Sequence, residues 1–190
     1  AMLASAAEMK SGKDVSQPLA GKYIGMIFET PSTRTRVSFE VGISQLGGTP
    51  VVLSASDLQL GRGESVADTG RVLSRYLDGV MIRALQHETV TELAENADIP
   101  VINGLTNLSH PCQIMADLQT IIECHGSLKG AKVCWFGDGN NVANSWIEAA
   151  ALFGFELRLA GPEAYRPPAA LLAWARARGA EIILTEDPVA

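Results

Sequence analysis

Short apolar runs alternate along this chain with longer stretches whose apolar positions recur every three or four residues. Tyr23–Phe28 is the first such run, aromatic and β-branched, and the turn Glu29-Thr30-Pro31 closes it, which predicts a strand. A helix follows, with Phe39, Ile43 and Leu46 spaced by four and three and Val37 and Val41 beside them, until Gly47-Gly48 ends it. Further runs at 51–53, 80–82 and 101–102 predict strands. A polar loop passes through Gly61-Arg62-Gly63, and helices are predicted over 66–77, 90–97 and from Pro111 to about Cys124. After His125-Gly126-Ser127 the alternation restarts. Strands are predicted at 133–136, 157–159 and 182–184, and helices over 142–153 and Ala169–Ala177.

Strict alternation of strand and helix implies parallel sheets with right-handed crossovers and helices on both faces. The fold class is therefore α/β, with two parallel-sheet, three-layer α/β domains. The first is expected over residues 1–126 with four strands and the second over 127–190 with three. The chain stops at Asp187-Pro188-Val189-Ala190, where another helix is expected, and an open three-stranded sheet with a bare edge is a poor end for a domain. The second domain is expected to be incomplete.

Composition narrows the functional classes. Hydrophobic residues make up 47% of the chain and charged residues 19%, a balance that excludes disorder. Fifteen Lys and Arg against twenty-one Asp and Glu give a net charge of −6, the wrong sign for a protein that binds nucleic acid by neutralising phosphates. No apolar run approaches the ~18 residues of a membrane span, and the first residues lack the apolar core of a signal peptide. Cys112, Cys124 and Cys134 form no CxxC pair and leave one thiol over, which argues against a disulfide framework or a zinc site. The picture is of an acidic, cytosolic-type globular chain.

In open parallel sheets, ligands bind beyond the carboxyl ends of the strands. After the first strand comes Pro31-Ser32-Thr33-Arg34-Thr35-Arg36, which opens a helix. Hydroxyls, arginines and the free N–H groups of a helix start make an anion site. The same residues would also fit a capping serine with solvated arginines. Positive charge in the first turn is unfavourable without an anion, however, and this favours the site. Arg83 ends the third strand at the same edge. Pro111 at the first helical position puts His110 at the N-cap and Gln113 two residues further in, where Gln113 could close a capping box. Histidine caps less well than Ser, Asp or Asn, so a ligand role gains weight. Cations, hydroxyls, an imidazole and an amide suit a small phosphorylated substrate with a polarisable carbonyl.

Other motifs fail. Gly137-Asp138-Gly139-Asn140-Asn141 follows a strand, but Val142 stands where a dinucleotide fingerprint needs its third glycine, and Leu157-Arg158-Leu159 supplies no acid for a ribose. His87-Glu88 lacks the second histidine of a zincin. Gly42-Ile43-Ser44-Gln45-Leu46 lacks the last glycine of a nucleophile elbow, and there is no Walker A sequence. Cys112 and His110 lie two apart along a helix start and do not face each other as a nucleophile pair would.

Two of these stretches carry a family resemblance. Phe28-Glu29-Thr30-Pro31-Ser32-Thr33-Arg34-Thr35-Arg36 resembles the carbamoyl-phosphate motif of the transcarbamylases, and His110-Pro111-Cys112-Gln113 their second signature, with Arg83 between them in order. The similarity runs from about Gly21 to Pro188. Gly104-Leu105-Thr106, Gly137-Asp138-Gly139-Asn140-Asn141 and Ser145 are similar to the family's ornithine branch, whereas the Ser-Thr-Arg-Thr-Arg stretch is shared with its aspartate branch.

The resemblance implies that Ser32, Thr33, Arg34 and Thr35 bind carbamoyl phosphate. Arg83, His110, Pro111, Cys112 and Gln113 would complete that site, with Thr35, Arg83 and His110 catalytic. It implies a homotrimer in which Gln59 reaches a neighbouring subunit's phosphate, and an ornithine contact at Asn141. No metal or organic cofactor is implied, nor any nucleic-acid or membrane partner. Remaining ornithine-binding motifs are expected past residue 190, so these 190 residues alone are expected to bind carbamoyl phosphate weakly and to turn over no ornithine. An aspartate-specific relative and a binding-only relative that has lost the second substrate are the rival readings. A dinucleotide-dependent oxidoreductase is a distant third.

Overall fold

The computed structural model describes residues 2–13, 16–54, 63–187 and 189. The chain divides into two compact units, Ala1–Asn107 and Leu108–Ala190.

In the first unit a short helix, α1 (Met2–Lys10), precedes β1 (Tyr23–Phe28), α2 (Thr33–Gln45), β2 (Thr49–Ser54), α3 (Val66–Leu73), β3 (Gly79–Arg83), α4 (His87–Asn96) and β4 (Val101–Leu105). All four strands are parallel, in the order β2-β1-β3-β4. Strand residues alternate between the two faces. Ile24, Met26 and Met81 pack with Ile43 and Phe39 of α2 on one face. Ile27, Val80 and Ile82 pack with Val90 and Leu93 of α4 on the other. Both faces are covered, which is why these strands read as continuous apolar runs.

The order 2-1-3-4 has a consequence for function. From β1 the chain crosses to one side to make β2, then returns past β1 to make β3 on the other. The reversal lies between β1 and β3, where Phe28 pairs with Arg83 at the carboxyl ends. Such a switch point opens a crevice at that edge.

The second unit contains α5 (Pro111–His125), β5 (Lys132–Phe136), α6 (Asn141–Phe153), β6 (Glu156–Ala160), α7 (Ala169–Ala177) and β7 (Ile182–Thr185), with a single 3₁₀ turn at Glu163–Tyr165. Its sheet is parallel, ordered β5-β6-β7. Leu157 and Leu159 of β6 are buried together with Ala143, Ile147 and Ala150 of α6 and Leu172 and Ala175 of α7. Trp146 meets Phe155 edge to face at 5.9 Å. Gly126 caps α5 at φ 79°, the left-handed conformation that glycine adopts without a Cβ penalty.

Three elements differ from the pattern read along the chain. The helix expected over 66–77 stops at Leu73, after which Ser74–Leu77 turn toward β3. The helix expected from residue 90 begins at His87, a turn early, where polar residues hide its start. Helix α1 has no buried residue, so no apolar stripe announced it. The boundary expected after residue 126 also differs from the compact units, because α5 packs along α6.

Candidate active site

The candidate site in the first unit is the N-terminus of α2. Ser32 occupies the N-cap in extended geometry, yet its side chain caps no backbone N–H. The Ser32 hydroxyl instead donates to Thr35 Oγ1 at 3.0 Å, and Arg83 Nη1 donates to the same oxygen at 3.2 Å. The plain capping role is therefore not the one Ser32 takes. The first turn holds no acidic residue, so the N–H groups and positive end of α2 meet no carboxylate from that turn.

Charge is left uncompensated here. Arg36 pairs with Glu40 at 3.5 Å, one turn along the helix. Arg34 and Arg83 pair with no carboxylate among the described residues. Burial, and then the neighbouring Arg34 charge, push the Arg83 pKa below its ordinary value, although a guanidinium stays charged at neutral pH. Arg83 Nε is buried and has no hydrogen-bond partner among the described residues. Two neighbouring guanidiniums, two hydroxyls and a helix N-terminus are groups of the kind that can receive an oxyanion. Beside it lies an open pocket of about 610 Å³ lined by Glu29, Pro31, Ser32, Thr33 and Arg36, among others.

Glu29 holds this arrangement in shape. Its amide donates to the Arg83 carbonyl at 3.0 Å, and its carboxylate accepts the Leu85 N–H at 2.6 Å. The nearby acid that could have neutralised Arg83 is thus engaged with the backbone. Sequence reasoning assigned Glu29 only to a turn. A carboxylate at a strand's carboxyl end beside two arginines was the available signal. In the next loop, His87 Nδ1 lies 3.1 Å from the fully buried Thr106 hydroxyl, a second tie between adjacent loops.

The second unit carries the other residues that the sequence singled out. His110 is the N-cap of α5 and Pro111 its first residue, as the spacing predicts, but the imidazole makes no cap hydrogen bond. Gln113 does not close a capping box: its side-chain amide donates to Asp117 Oδ1 at 2.9 Å along the helix. Cys112 is half-buried, and burial raises its thiol pKa above the ordinary value. At the start of α6, Asn140 takes the capping role, accepting the N–H groups of Val142 and Ala143 at 2.9 and 3.2 Å. Asn141 is the first residue of that helix. Gly139 is pressed against the backbone of Arg166 and Pro167, so a Cβ there would collide with it. Gln59 lies outside the described residues.

Residues 1–123 match the family description "Aspartate/ornithine carbamoyltransferase, carbamoyl-P binding domain", and residues 129–190 match "Aspartate/ornithine carbamoyltransferase, Asp/Orn binding domain". The chain belongs to the aspartate/ornithine carbamoyltransferase family. A similar carbamoyltransferase is the ornithine carbamoyltransferase of Rhizorhabdus wittichii, 57% identical over 179 residues that cover 94% of this chain and 58% of the relative. Among solved structures, the ornithine carbamoyltransferase of Pyrococcus furiosus is 46% identical with a TM-score of 0.92, covering 98% of this chain and 61% of that one. The anabolic ornithine carbamoyltransferase of Campylobacter jejuni is 44% identical with a TM-score of 0.91, covering 97% and 62%. The chain thus spans about three fifths of the length of these carbamoyltransferases. The two carbamoyltransferase family domains leave residues 124–128 between them, whereas the compact units part at Asn107 and Leu108. Among the described residues, no helix is long and apolar enough to cross a membrane.

Proposed function

We propose that the protein is an ornithine carbamoyltransferase, moving the carbamoyl group of carbamoyl phosphate to the δ-amine of ornithine and yielding citrulline and phosphate. The reading is carried by the carboxylate-free cluster of Ser32, Thr35, Arg34 and Arg83 at the start of α2. Family membership and the relatives' names support it. Residues 1–126 act as the carbamoyl-phosphate domain and 127–190 as part of the ornithine domain. Arginine biosynthesis in the cytoplasm, by a homotrimer, is the corresponding setting.

The chemistry follows from the donors. The neutral δ-amine attacks the carbamoyl carbon, a tetrahedral oxyanion forms, and phosphate leaves with the electron pair of the broken C–O bond, taking up the proton that the amine nitrogen gives up. Thr35 and Arg83, with His110, polarise the carbonyl and stabilise the oxyanion, and losing one such donor costs about 3–4 kcal/mol in the transition state. Ser32, Thr33 and Arg34 hold the departing phosphate, with Gln59 reaching a neighbouring subunit's. Gln113, with the Pro111 and Cys112 segment, orients the carbamoyl amide, and Asn141 contacts ornithine. No step calls for a metal or an organic cofactor.

The test is citrulline formation by the full-length protein from carbamoyl phosphate and ornithine. Carbamoyl-aspartate from aspartate instead would transfer the protein to the family's other branch. Binding of carbamoyl phosphate with neither product would reduce it to a binding protein.

A further inference from the structure

The Ser145 hydroxyl accepts the backbone N–H of His110 at 2.8 Å, across thirty-five residues of sequence. Its neighbour Asn144 donates its side-chain amide to the Leu108 carbonyl at 3.0 Å. Both side chains are buried, at 2% and 5% exposure, and both project from α6 to the segment that leads into α5. His87 and Thr106 tie loops of the first unit. Ser145 and Asn144 thus both hold the backbone of 108–110 from another element. Asn141 lies four residues before Ser145 on the same helix, so the two share a face.

We infer that Ser145 is a positioning residue that sets where the His110 imidazole stands, with Asn144 fixing the segment just before it. This inference rests on the carbamoyltransferase reading, in which His110 polarises the carbamoyl carbonyl and Asn141 contacts ornithine. A buried N–H at a helix N-cap needs an acceptor, and a serine hydroxyl on a rigid neighbouring helix supplies one without adding charge. One helix then carries both the contact for the amine and the anchor for the carbonyl-polarising group. Its position fixes the two together, as alignment of reactants requires. A hydroxyl that anchors a backbone N–H carries no motif of its own, and Ser145 stands out in the sequence only as part of a resemblance.

The experiment replaces Ser145 in the full-length protein with alanine and, separately, with threonine. Removing one hydrogen bond that positions a reacting group is expected to lower kcat by roughly three- to tenfold. The KM for ornithine should stay within about twofold, because Asn141 keeps its place. Threonine restores the hydroxyl and should recover most of kcat. Amide hydrogen exchange supplies a readout that does not depend on turnover: in Ser145→Ala the His110 amide should exchange faster while that of Leu118, within α5, is unchanged. Equal acceleration at both amides would indicate general destabilisation and overturn the inference. So would faster exchange at His110 with kcat unchanged. Absence of citrulline formation by the wild-type protein would be a different failure, that of the functional reading, and the exchange data would then decide on the anchor by themselves.

Discussion

Arg83 donates to the hydroxyl of Thr35 at 3.2 Å, although forty-eight residues separate them. The contact exists because β1 and β3 are neighbours in the sheet, with Phe28 opposite Arg83 in register. The loop leaving β1 turns directly into α2, so the first turn of that helix lies over the end of β3. Thr35 accepts from Ser32 as well, which makes its oxygen the point where strand, helix cap and arginine are tied.

Arg34 is exposed and pairs with no carboxylate among the described residues, so its removal should leave the fold intact. Arg34→Ala should cost one charged hydrogen-bonding contact to carbamoyl phosphate, about 1.5–3 kcal/mol or roughly 10- to 150-fold in affinity. Calorimetry on the full-length protein reads this directly, with circular dichroism to check the fold. Unchanged affinity would remove Arg34 from the site.

If active sites are shared in a trimer through Gln59, two inactive chains should complement each other. Mixing Gln59→Ala with Arg34→Ala subunits should restore part of the citrulline activity, because hybrid trimers contain interfaces at which both residues are intact. Failure to recover activity after verified subunit exchange would mean that each chain completes its own site.

Much of this fold could be read from the chain, and the reasons are particular. Tyr23–Phe28 is a buried strand with both faces covered, so its run is continuous, and the predicted bounds are those of β1. The anion motif was read from the conflict between arginines in a first turn and the helix dipole, which a bound anion would relieve. Strand order was not legible, since either side of β1 could have received β3. Without that order, Arg83 could be set at the same sheet edge as Thr35, and beside it only through the family resemblance. Glu29 and Ser145 escaped for a related reason. Each acts on a backbone N–H, and a backbone N–H looks the same in every sequence.

Asp78 tethers the start of β1, accepting from Lys22 Nζ at 2.7 Å and from the Tyr23 N–H at 2.9 Å. The Lys22 bond first, then the Tyr23 amide, lower its pKa from an ordinary 3.8. A carboxyl with a depressed folded-state pKa contributes stability above its ordinary value and loses it as pH falls through the folded value. Asp78→Asn should therefore be less stable than wild type at pH 7 in urea titrations. The gap should close as pH drops through the carboxylate range, and a gap independent of pH would assign the effect to packing instead.

Burial raises the pKa of Cys112 from its ordinary 9.0, which leaves less thiolate at any working pH. Cys124 and Cys134 are exposed. Iodoacetamide at about pH 8, near the ordinary thiol range, should label Cys112 last. Its rate should continue to climb as pH rises past the ordinary thiol value. Labelling of Cys112 as fast as the other two would show that its surroundings open readily in solution.

The proximity of Arg34 and Arg83 has a thermodynamic side. Two like charges held together with no carboxylate paired to either among the described residues oppose folding, and the Glu29 carboxylate accepts the Leu85 N–H. An anion that settles between them removes this repulsion and binds only the folded state. By mass action it then adds to stability as its concentration rises above its dissociation constant. Inorganic phosphate, a product of the proposed reaction, should therefore raise the melting temperature of the unliganded protein, and raising ionic strength should shrink that gain by screening the charges. On the proposed reading, an anion at the two arginines would balance the charge of the folded state as well as serve as a ligand.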